Sequence, residues 1–355
     1  MAKIIHTGDL HLDSAFTSLS IEEAKARRAS LRDVFSKIID IANAEEVDVL
    51  ILAGDVFDAY PIRPETEAAF LRDLKRAKCR VFITPGNHDP LTPTSPYATL
   101  TFPENVHIFT SNELTAVELP ELNLRIYGAA YTSERYDERI LDGFKVSDDD
   151  FANILILHSN LNADGYSPVT NAEIGASGAD YVALAHVHKP TEVENANGTN
   201  FAYCGCPESR DFGECYDTAI YIGEIEKRKV NLTRRKVSSL SHKWLTCDIE
   251  EIPNLLSSAP SAEKEFLRLT VKGECEKLDA DKLAEELSSR FAEVEIIDHT
   301  EAPRNIWEGI EDEGLRGVFL RKMKLKLDSA ETDEERKKIT LATKFGIDAI
   351  ENREI

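Results

Sequence analysis

Residues 47–58 read VDVLILAGDVFD, and this stretch decides the fold class. A run of β-branched and aliphatic residues from Val47 to Ala53 predicts a strand, which ends at Gly54 and Asp55. Functional sites of layered α/β proteins assemble in the loops at the carboxyl ends of such strands. The stretch therefore predicts a central strand with an acidic residue at the edge where a site would form.

The same alternation of strand and helix patterns continues on both sides of this stretch. Predicted strands cover residues 3–7, 80–84, 124–127, 154–158 and 181–185, and predicted helices cover residues 21–44 and 64–78. Strands and helices in alternation indicate an α/β layered core.

The pattern changes from Ile220 onward. Residues 221–225 and 229–233 predict a hairpin, and the strands and helix expected after it, at 243–249, 266–271, 294–298 and 281–291, form a small α+β unit. Beyond Pro303 the chain is charge-rich and helical in pattern, with Thr332 and Glu335 spaced as a capping box. We expect a main domain over 1–240, a small α+β capping domain over 241–300 and a helical C-terminal segment over 301–355.

Composition sets outer limits on function. The 355 residues carry 42 Lys and Arg against 64 Asp and Glu, a net charge of −22. The apolar runs fall short of the roughly 18 residues that a membrane helix needs, and the first residues lack the apolar core of a signal peptide, so we expect a cytoplasmic protein. The acidity opposes general polyanion binding unless local basic patches or metal ions reverse it.

Five short polar elements follow the predicted strands. They are Asp9-Leu-His11, Gly54-Asp55, Gly86-Asn-His-Asp89, His158 and His186-Val-His188. A spacing of two residues puts both side chains of Asp9/His11 and of His186/His188 on one side of an extended segment, so each pair could chelate one ion. Carboxylates, imidazoles and one amide suit manganese, iron or zinc, and there are enough ligands for two ions.

Each element alone is also typical of an ordinary turn or helix cap. Joint occurrence favours a site, because five of the nine histidines fall in these loops, each after a β-rich run. We expect the other four, His6, His107, His242 and His299, to be core or surface residues.

The ordered set of motifs resembles the signature of the calcineurin-like metallophosphoesterase superfamily. Within it the chain is most similar to the double-strand-break repair nucleases, whose bacterial member is the nuclease subunit of the SbcCD complex. The stretches that carry this similarity are residues 7–13 (TGDLHLD), 47–58 and 203–214 (YCGCPESRDFGE), within the first two thirds of the chain.

The resemblance implies a layered β-sandwich flanked by helices and a role for each motif residue. Asp9, His11, Asp55 and His188 would hold one divalent ion, and Asp55, Asn87, His158 and His186 the other, with Asp55 as the bridge. His88 would act on the scissile phosphate as the catalytic histidine, oriented by Asp89. Two departures are Ala185 and Ser159, where relatives commonly carry glycine; we expect these to alter rate and substrate preference more than metal binding.

The function that this resemblance implies is a manganese-dependent DNA exonuclease or endonuclease in DNA repair. A phosphodiesterase or phosphatase for a small nucleotide remains an alternative, since the same metal site and the acidic surface would suit it. A non-catalytic scaffold is a third possibility, which the complete ligand set disfavours.

Two sets of basic residues could contact DNA. The first is on the predicted hairpin and consists of Lys227, Arg228, Lys229, Arg234, Arg235 and Lys236; ordinary surface charge explains it equally well. The second is Arg27, Arg28 and Arg32 on the first helix, where helix-surface ion pairs are the alternative.

The resemblance also implies partners. In the related nucleases the first helices form a homodimer interface, and a C-terminal helical segment docks on the coiled coil of an SMC-like, ABC-type ATPase. An apolar stripe of Val34, Ile38, Ile39 and Ile41 could serve the dimer or pack on the chain's own sheet. The tail has apolar residues at helical spacings, which fit a partner groove or a packed terminal helix: Ile306, Trp307, Ile310, Leu315, Val318, Phe319 and Leu320.

Overall fold

A computed structural model describes residues 1–58, 61–147, 149–238, 240–258, 262–303 and 305–351. The strands are β1 (Ala2–Thr7), β2 (Val49–Leu52), β3 (Arg80–Ile83), β4 (Val106–Ile108), β5 (Thr115–Leu119), β6 (Leu124–Gly128), β7 (Ala152–His158), β8 (Tyr181–Ala185), β9 (Glu194–Ala196), β10 (Thr199–Tyr203), β11 (Ile220–Glu226), β12 (Lys229–Arg235), β13 (Ser241–Asp248), β14 (Ala262–Glu274) and β15 (Phe291–Glu301). The helices are α1 (Ile21–Ala44), α2 (Pro64–Arg76), α3 (Pro96–Thr99), α4 (Asn171–Ser177), α5 (Ile252–Ser258), α6 (Ala280–Ser288), α7 (Leu315–Asp328) and α8 (Asp333–Ile350).

Two six-stranded sheets carry the fold. The first has the order β12-β11-β1-β2-β3-β4 and the second β5-β6-β7-β8-β10-β9. In the first sheet β1 to β4 run parallel, with Thr7 opposite Leu52 and Leu52 opposite Ile83. In the second sheet β7 and β8 run parallel, with His158 opposite Ala185. Because parallel strands end at one edge, the polar segments that follow them are brought together.

The two sheets pack face to face because successive strand residues point to opposite sides. Ile4 and Ile51 of the first sheet share one buried cluster with Ile154 and Ile156 of the second. The alternate residues of the first sheet, such as Leu50, pack on helices α1 and α2. This layering confirms the predicted α/β fold, a β-sandwich flanked by helices.

Helix α1 occupies the predicted residues 21–44 and starts at a capping box of Ser20 and Glu23. Its apolar stripe lies in the core under the first sheet: Val34, Ile38 and Ile39 are fully buried there, and Ile41 packs against the same cluster. Burial on the chain's own sheet therefore accounts for the stripe.

The main departures from the predicted elements are β4, β5, β9, β10 and α4, which the sequence patterns did not indicate. Strand β9 consists of Glu194, Asn195 and Ala196 at the edge of the second sheet. Such short or polar segments form strands because they hydrogen-bond to a neighbouring strand. The spacing of apolar residues in the sequence does not predict this pairing.

Contacts divide the chain into two compact units. The first comprises Met1–Leu245, Ser258–Leu269 and Ala284–Ile296, and the second Thr246–Ser257, Thr270–Leu283 and Ile297–Ile355. The predicted three-part division remains a prediction. Arg304 and residues 352–355 of the expected C-terminal segment lie outside the described residues.

The second unit contains helices α7 and α8. The predicted capping box is present, since the Glu335 amide donates to the Thr332 hydroxyl and the Glu335 carboxylate accepts from the Thr332 amide. Leu320 is fully buried, whereas Leu315 is 72% exposed. In the part of the chain that the structure describes, no helix has the length and apolar character to cross a membrane.

Candidate metal centre

The backbone at the strand ends adopts an uncommon conformation. Asp9, His11, Asp55 and His186 have φ values of +48°, +44°, +49° and +95°. Positive φ is costly for residues other than glycine, and such strain is concentrated at functional sites. At these four positions it turns the chain sharply after the strand.

Two motif glycines make room for ligand side chains. A Cβ atom on Gly86 would lie 2.1 Å from Oδ1 of Asp55, and one on Gly54 would lie 2.4 Å from Nδ1 of His158. Any side chain at either position would displace a neighbouring carboxylate or imidazole, which explains why glycine precedes the polar residue in both motifs.

Asp9, His11 and His188 form a first cluster. Their ligand atoms lie within 4.8 Å of one another. The Nε2 atoms of His11 and His188 are 3.0 Å apart, and the side chains of Asp9 and His11 are buried. One oxygen and two nitrogen atoms that could ligate a metal ion thus lie around one small volume.

Asp55, His158 and His186 form a second cluster with the same spread of ligand atoms. Nε2 of His158 lies 3.2 Å from Oδ2 of Asp55. The side-chain oxygen of Asn87 lies 3.0 Å from Nε2 of His158 and 2.9 Å from Nδ1 of His186. The side-chain oxygen of Asn87 is therefore a fourth candidate metal ligand in this cluster.

Asp55 lies between the clusters. Its Oδ2 atom, which contacts His158, is also 3.9 Å from Nε2 of His11. The structure thus brings all seven predicted ligands together, with Asp55 in the position of a shared carboxylate.

The electrostatics of this volume suit cations. Burial raises the pKa of Asp9; burial also acts to raise that of Asp55, but His158 and other imidazoles hold it below its usual range. The pKa of His158, which burial alone would lower, is raised by Asp55 to about 9. Buried carboxylates require a positive partner, and in this mixed oxygen and nitrogen set divalent ions can take that role.

His88 lies at the open side of the clusters. Its side chain is 48% exposed, and its Nδ1 is 2.9 Å from Oδ1 of Asp58. Asp58 also contacts Nδ1 of His11 at 3.1 Å and accepts a hydrogen bond from the Ser14 hydroxyl. The hydrogen bond to Asp58 raises the pKa of His88.

Asp89 does not have the expected orienting contact with His88. Its buried carboxylate accepts hydrogen bonds from the amides of Gly86, Val56 and Phe57 and from the Tyr97 hydroxyl. Among the described residues, Asp58 rather than Asp89 contacts the His88 ring. Asp89 ties two ligand loops together, and burial raises its pKa to about 6.

The sequence motifs do not indicate a role for Asp58, Arg210 or Glu214. Glu214 lies 2.7 Å from Nδ1 of His188, and Arg210 is bonded to Glu214 at 2.9 Å and lies 3.8 Å from Asp58. All three residues fall within the two family-like stretches 47–58 and 203–214. Their charge within these otherwise largely apolar or small-residue stretches is the feature of the sequence that could have indicated a role at the site.

The two departures from the family pattern are buried. Ala185 is fully buried, and its Cβ lies 2.8 Å from the point that a Cβ on Gly8 would occupy. Ser159 is 1% exposed, and its backbone oxygen accepts from the Tyr203 hydroxyl. Alanine at position 185 therefore fits beside glycine at position 8, where a larger residue would collide with it.

The predicted basic hairpin forms, but its residues divide between two ends of the sheet. Ile225, next to the turn that holds Lys227 and Arg228, pairs with Ala2 at the start of β1, whereas the ligands follow the end of β1. Lys229, Arg234 and Arg235 form ion pairs with Glu226, Glu192 and Glu45. Exposed Lys236 follows β12 at the ligand end.

The arginines of α1 have partners inside the protein. Arg27 is 5% exposed, donates to the Ser209 carbonyl at 2.7 Å and pairs with Glu208. Arg28 donates to the Ala15 carbonyl and Arg32 to the Thr66 hydroxyl. These contacts account for the three side chains without a phosphate.

The remaining four histidines lie outside the two ligand clusters. His6 is fully buried against the Tyr181 hydroxyl, and His242 is bonded to Ser209 at 2.8 Å. His107 is half-buried and His299 is exposed. The expectation that these four are core or surface residues agrees with their positions.

Residues 2–190 match the family model of the calcineurin-like phosphoesterases, and the chain belongs to this family. It is a phosphoesterase of the hydrolase class with candidate residues for divalent metals.

The chain is also similar to several curated proteins, three of which are as follows. The metallophosphoesterase YhaO of Bacillus subtilis, described as uncharacterized, is 29% identical over 76% of this chain and 68% of its own. The DNA double-strand break repair protein Mre11 of Methanopyrus kandleri is 25% identical over 88% of this chain and 76% of its own. A component of the nuclease SbcCD of Bacillus subtilis is 25% identical over 60% of this chain and 63% of its own.

Proposed function

We propose that the protein is a metal-dependent DNA nuclease that hydrolyses phosphodiester bonds in DNA repair or DNA end processing. The observation that carries this proposal is the pair of ligand clusters that meet at Asp55, with the half-exposed ring of His88 beside them. Two divalent ions, most simply Mn²⁺, would be held by Asp9, His11, Asp55, Asn87, His158, His186 and His188.

Bound divalent ions would supply the positive charge that polarises a phosphate and activates a water molecule. The chain's own residues perform the proton chemistry. Asp58 accepts from Nδ1 of His88, which holds the imidazole in one orientation and favours its protonated form. The other ring nitrogen of His88 can then donate a proton to the oxygen that leaves the phosphate.

DNA is proposed as the substrate because two of the relatives are named as a DNA repair protein and as part of a nuclease. A homodimer and an SMC-like ATPase partner belong to the same proposal. Leu315 and Leu325 on α7, and Leu341 and Phe345 on α8, are about half or more exposed, which supports docking of a partner on these helices.

A small-nucleotide phosphodiesterase or phosphatase is the rival function. The net charge of −22 and the ion-paired residues of the β11–β12 hairpin favour it, because both weaken long-range attraction of a polyanion.

Digestion of end-labelled linear DNA in Mn²⁺ tests the proposal, alongside a small generic phosphodiester. We expect DNA cleavage that EDTA abolishes and that His88→Ala lowers by about 10²–10⁴-fold. The matched control is His107→Ala, at a half-buried histidine outside the ligand clusters. Turnover of the small ester with intact DNA, in the presence of an added coiled-coil ATPase partner as well as without it, would refute the nuclease and favour the rival.

A further inference from the structure

A cleft adjoins the metal centre within the first compact unit. It has a volume of about 820 Å³ and is lined on one side by Asp58 and Arg210. Arg210 also lies 3.0 Å from His188, so the cleft opens directly beside residues of the first ligand cluster. Its volume lies within the range of small-molecule sites, roughly 300–1,000 Å³.

The cleft is lined by a ladder of stacked rings and guanidinium groups. Arg27 lies 5.4 Å from the ring of Phe16 and 5.3 Å from that of Phe266. The ring of His242 stacks on Phe266, with centroids 4.8 Å apart. The imidazole also meets Phe212 edge to face at 5.0 Å.

Arg268, which also lines the cleft, continues this ladder. Its guanidinium lies 4.1 Å from the Phe212 ring and 5.0 Å from the ring of Trp244. Trp244 is 50% exposed. Aromatic side chains are the surfaces on which single-stranded nucleic acids stack their bases, and arginine can add cation–π contacts.

The charges of the cleft favour a neutral ring over a second phosphate. Each guanidinium that lines it is already matched by a carboxylate: Arg27 by Glu208, Arg210 by Glu214 and Arg268 by Glu295. Asp211 and Glu293 add negative charge to the lining. Carboxylates repel phosphate but accept hydrogen bonds from the amino groups of a base.

One strained residue lines the same cleft. Phe16 has a φ of +49°, a conformation that is a genuine outlier for a bulky side chain. Strain of this kind persists where the surrounding structure imposes it, and it is concentrated at ligand sites.

We infer that this cleft binds the base of the nucleotide next to the phosphate held at the metal centre, and that Phe212 is its stacking surface. The inference rests on the proposed function and deepens it. A single-stranded end, whose bases are unpaired, is the form of DNA that can offer a base to such a cleft.

The first test uses short single-stranded oligonucleotides with one abasic residue at each position in turn. With the wild-type protein in Mn²⁺, an abasic residue beside the cleaved bond should lower kcat/KM by about 5- to 150-fold, the range of base–aromatic stacking. Phe212→Ala should cause the same loss on the intact oligonucleotide and make the abasic residue harmless. Phe151→Ala is the matched control. The ring of Phe151 also carries a stacked arginine, Arg125 at 4.7 Å, but Phe151 is not among the residues that line this cleft.

The second test does not depend on DNA cleavage. Because the chain has two tryptophans, Trp307→Phe leaves Trp244 as the sole tryptophan, and deoxyadenosine monophosphate should quench its fluorescence while deoxyribose 5-phosphate should not. If only the proposed nuclease function is wrong, the mononucleotide should still quench the fluorescence although the protein does not cut DNA. Equal kcat/KM on intact and abasic DNA, or absence of quenching by the mononucleotide, would overturn the base site.

Discussion

Nδ1 of His88 lies 2.9 Å from Oδ1 of Asp58, a residue that also contacts the ligand His11 at 3.1 Å. Asp58 thus links the half-exposed imidazole of His88 to the first ligand cluster. The contact that the sequence motif predicts between His88 and Asp89 is made instead by Asp58.

Asp58→Asn tests this link. Asparagine can still accept a hydrogen bond from Nδ1 of His88, but it lacks the carboxylate charge. The interaction with Asp58 that raises the pKa of His88 is therefore weakened, and the imidazole loses its proton at lower pH. We expect the alkaline limb of the kcat profile to shift to lower pH, with a loss of about tenfold or more at pH 8. Metal content measured in parallel separates this effect from damage to His11, and an unshifted limb would contradict it.

The position of Asp55 predicts how many metal sites are lost when single ligands are replaced. Because Oδ2 of Asp55 approaches both clusters, Asp55→Asn should abolish both Mn²⁺ sites. Asp9→Asn, in the first cluster alone, should leave one. Isothermal titration counts the sites, and Mn²⁺ at 100 times its Kd should add about 2.7 kcal/mol per occupied site to the free energy of unfolding, hence about 5.4 kcal/mol for the two sites of the wild type. Equal stoichiometry in the two variants would argue against a bridge.

Gly8 and Ala185 form a size-matched pair. Gly8→Ala places a Cβ 2.8 Å from that of Ala185, and overpacking of a buried contact costs about 1–3 kcal/mol. We expect the double variant Gly8→Ala/Ala185→Gly to recover most of that stability. Urea unfolding of the four proteins in this cycle measures the coupling, and an equal cost of Gly8→Ala in both backgrounds would disprove the pairing.

The environment of His242 predicts an acid-sensitive step in stability. Burial, with the charge of Arg27, lowers the pKa of His242 to about 4, whereas in the unfolded chain it is about 6.5. The folded protein therefore holds the ring neutral. Its contribution to stability is complete above pH 6.5 and disappears as the pH falls toward 4.

The matched variant is His242→Gln, which keeps a polar partner for Ser209. Between pH 7 and pH 4.5 the wild type should lose about 1–2 kcal/mol more free energy of unfolding than this variant, a figure reduced for partial solvent contact. Denaturant titrations at both pH values measure the difference. Parallel losses in the two proteins would exclude His242 as the source.

The ligand set could be predicted because each ligand follows a strand that the sequence itself reveals. Val49–Leu52 and Tyr181–Ala185 are apolar and buried, so each strand can be predicted from its own residues. Asp58 and Arg210 were overlooked because their roles depend on side chains that approach them from other loops. The ion pairs of Arg235 with Glu45 and of Arg27 with Glu208 likewise join residues far apart in the chain, and no spacing rule exposes them.

The sequence alone therefore determined the layered α/β fold and the residues available as ligands, since strand periodicity and the order of motifs are properties of the chain. Only the tertiary structure decided which carboxylate faces His88, that Gly8 accommodates Ala185, and that Phe16, Phe212 and Arg268 line one cleft beside the centre. The physical reason is distance. Hydrogen bonds, ion pairs and ring contacts act over a few ångströms, and the packing of the two sheets and their loops sets which residues come that close.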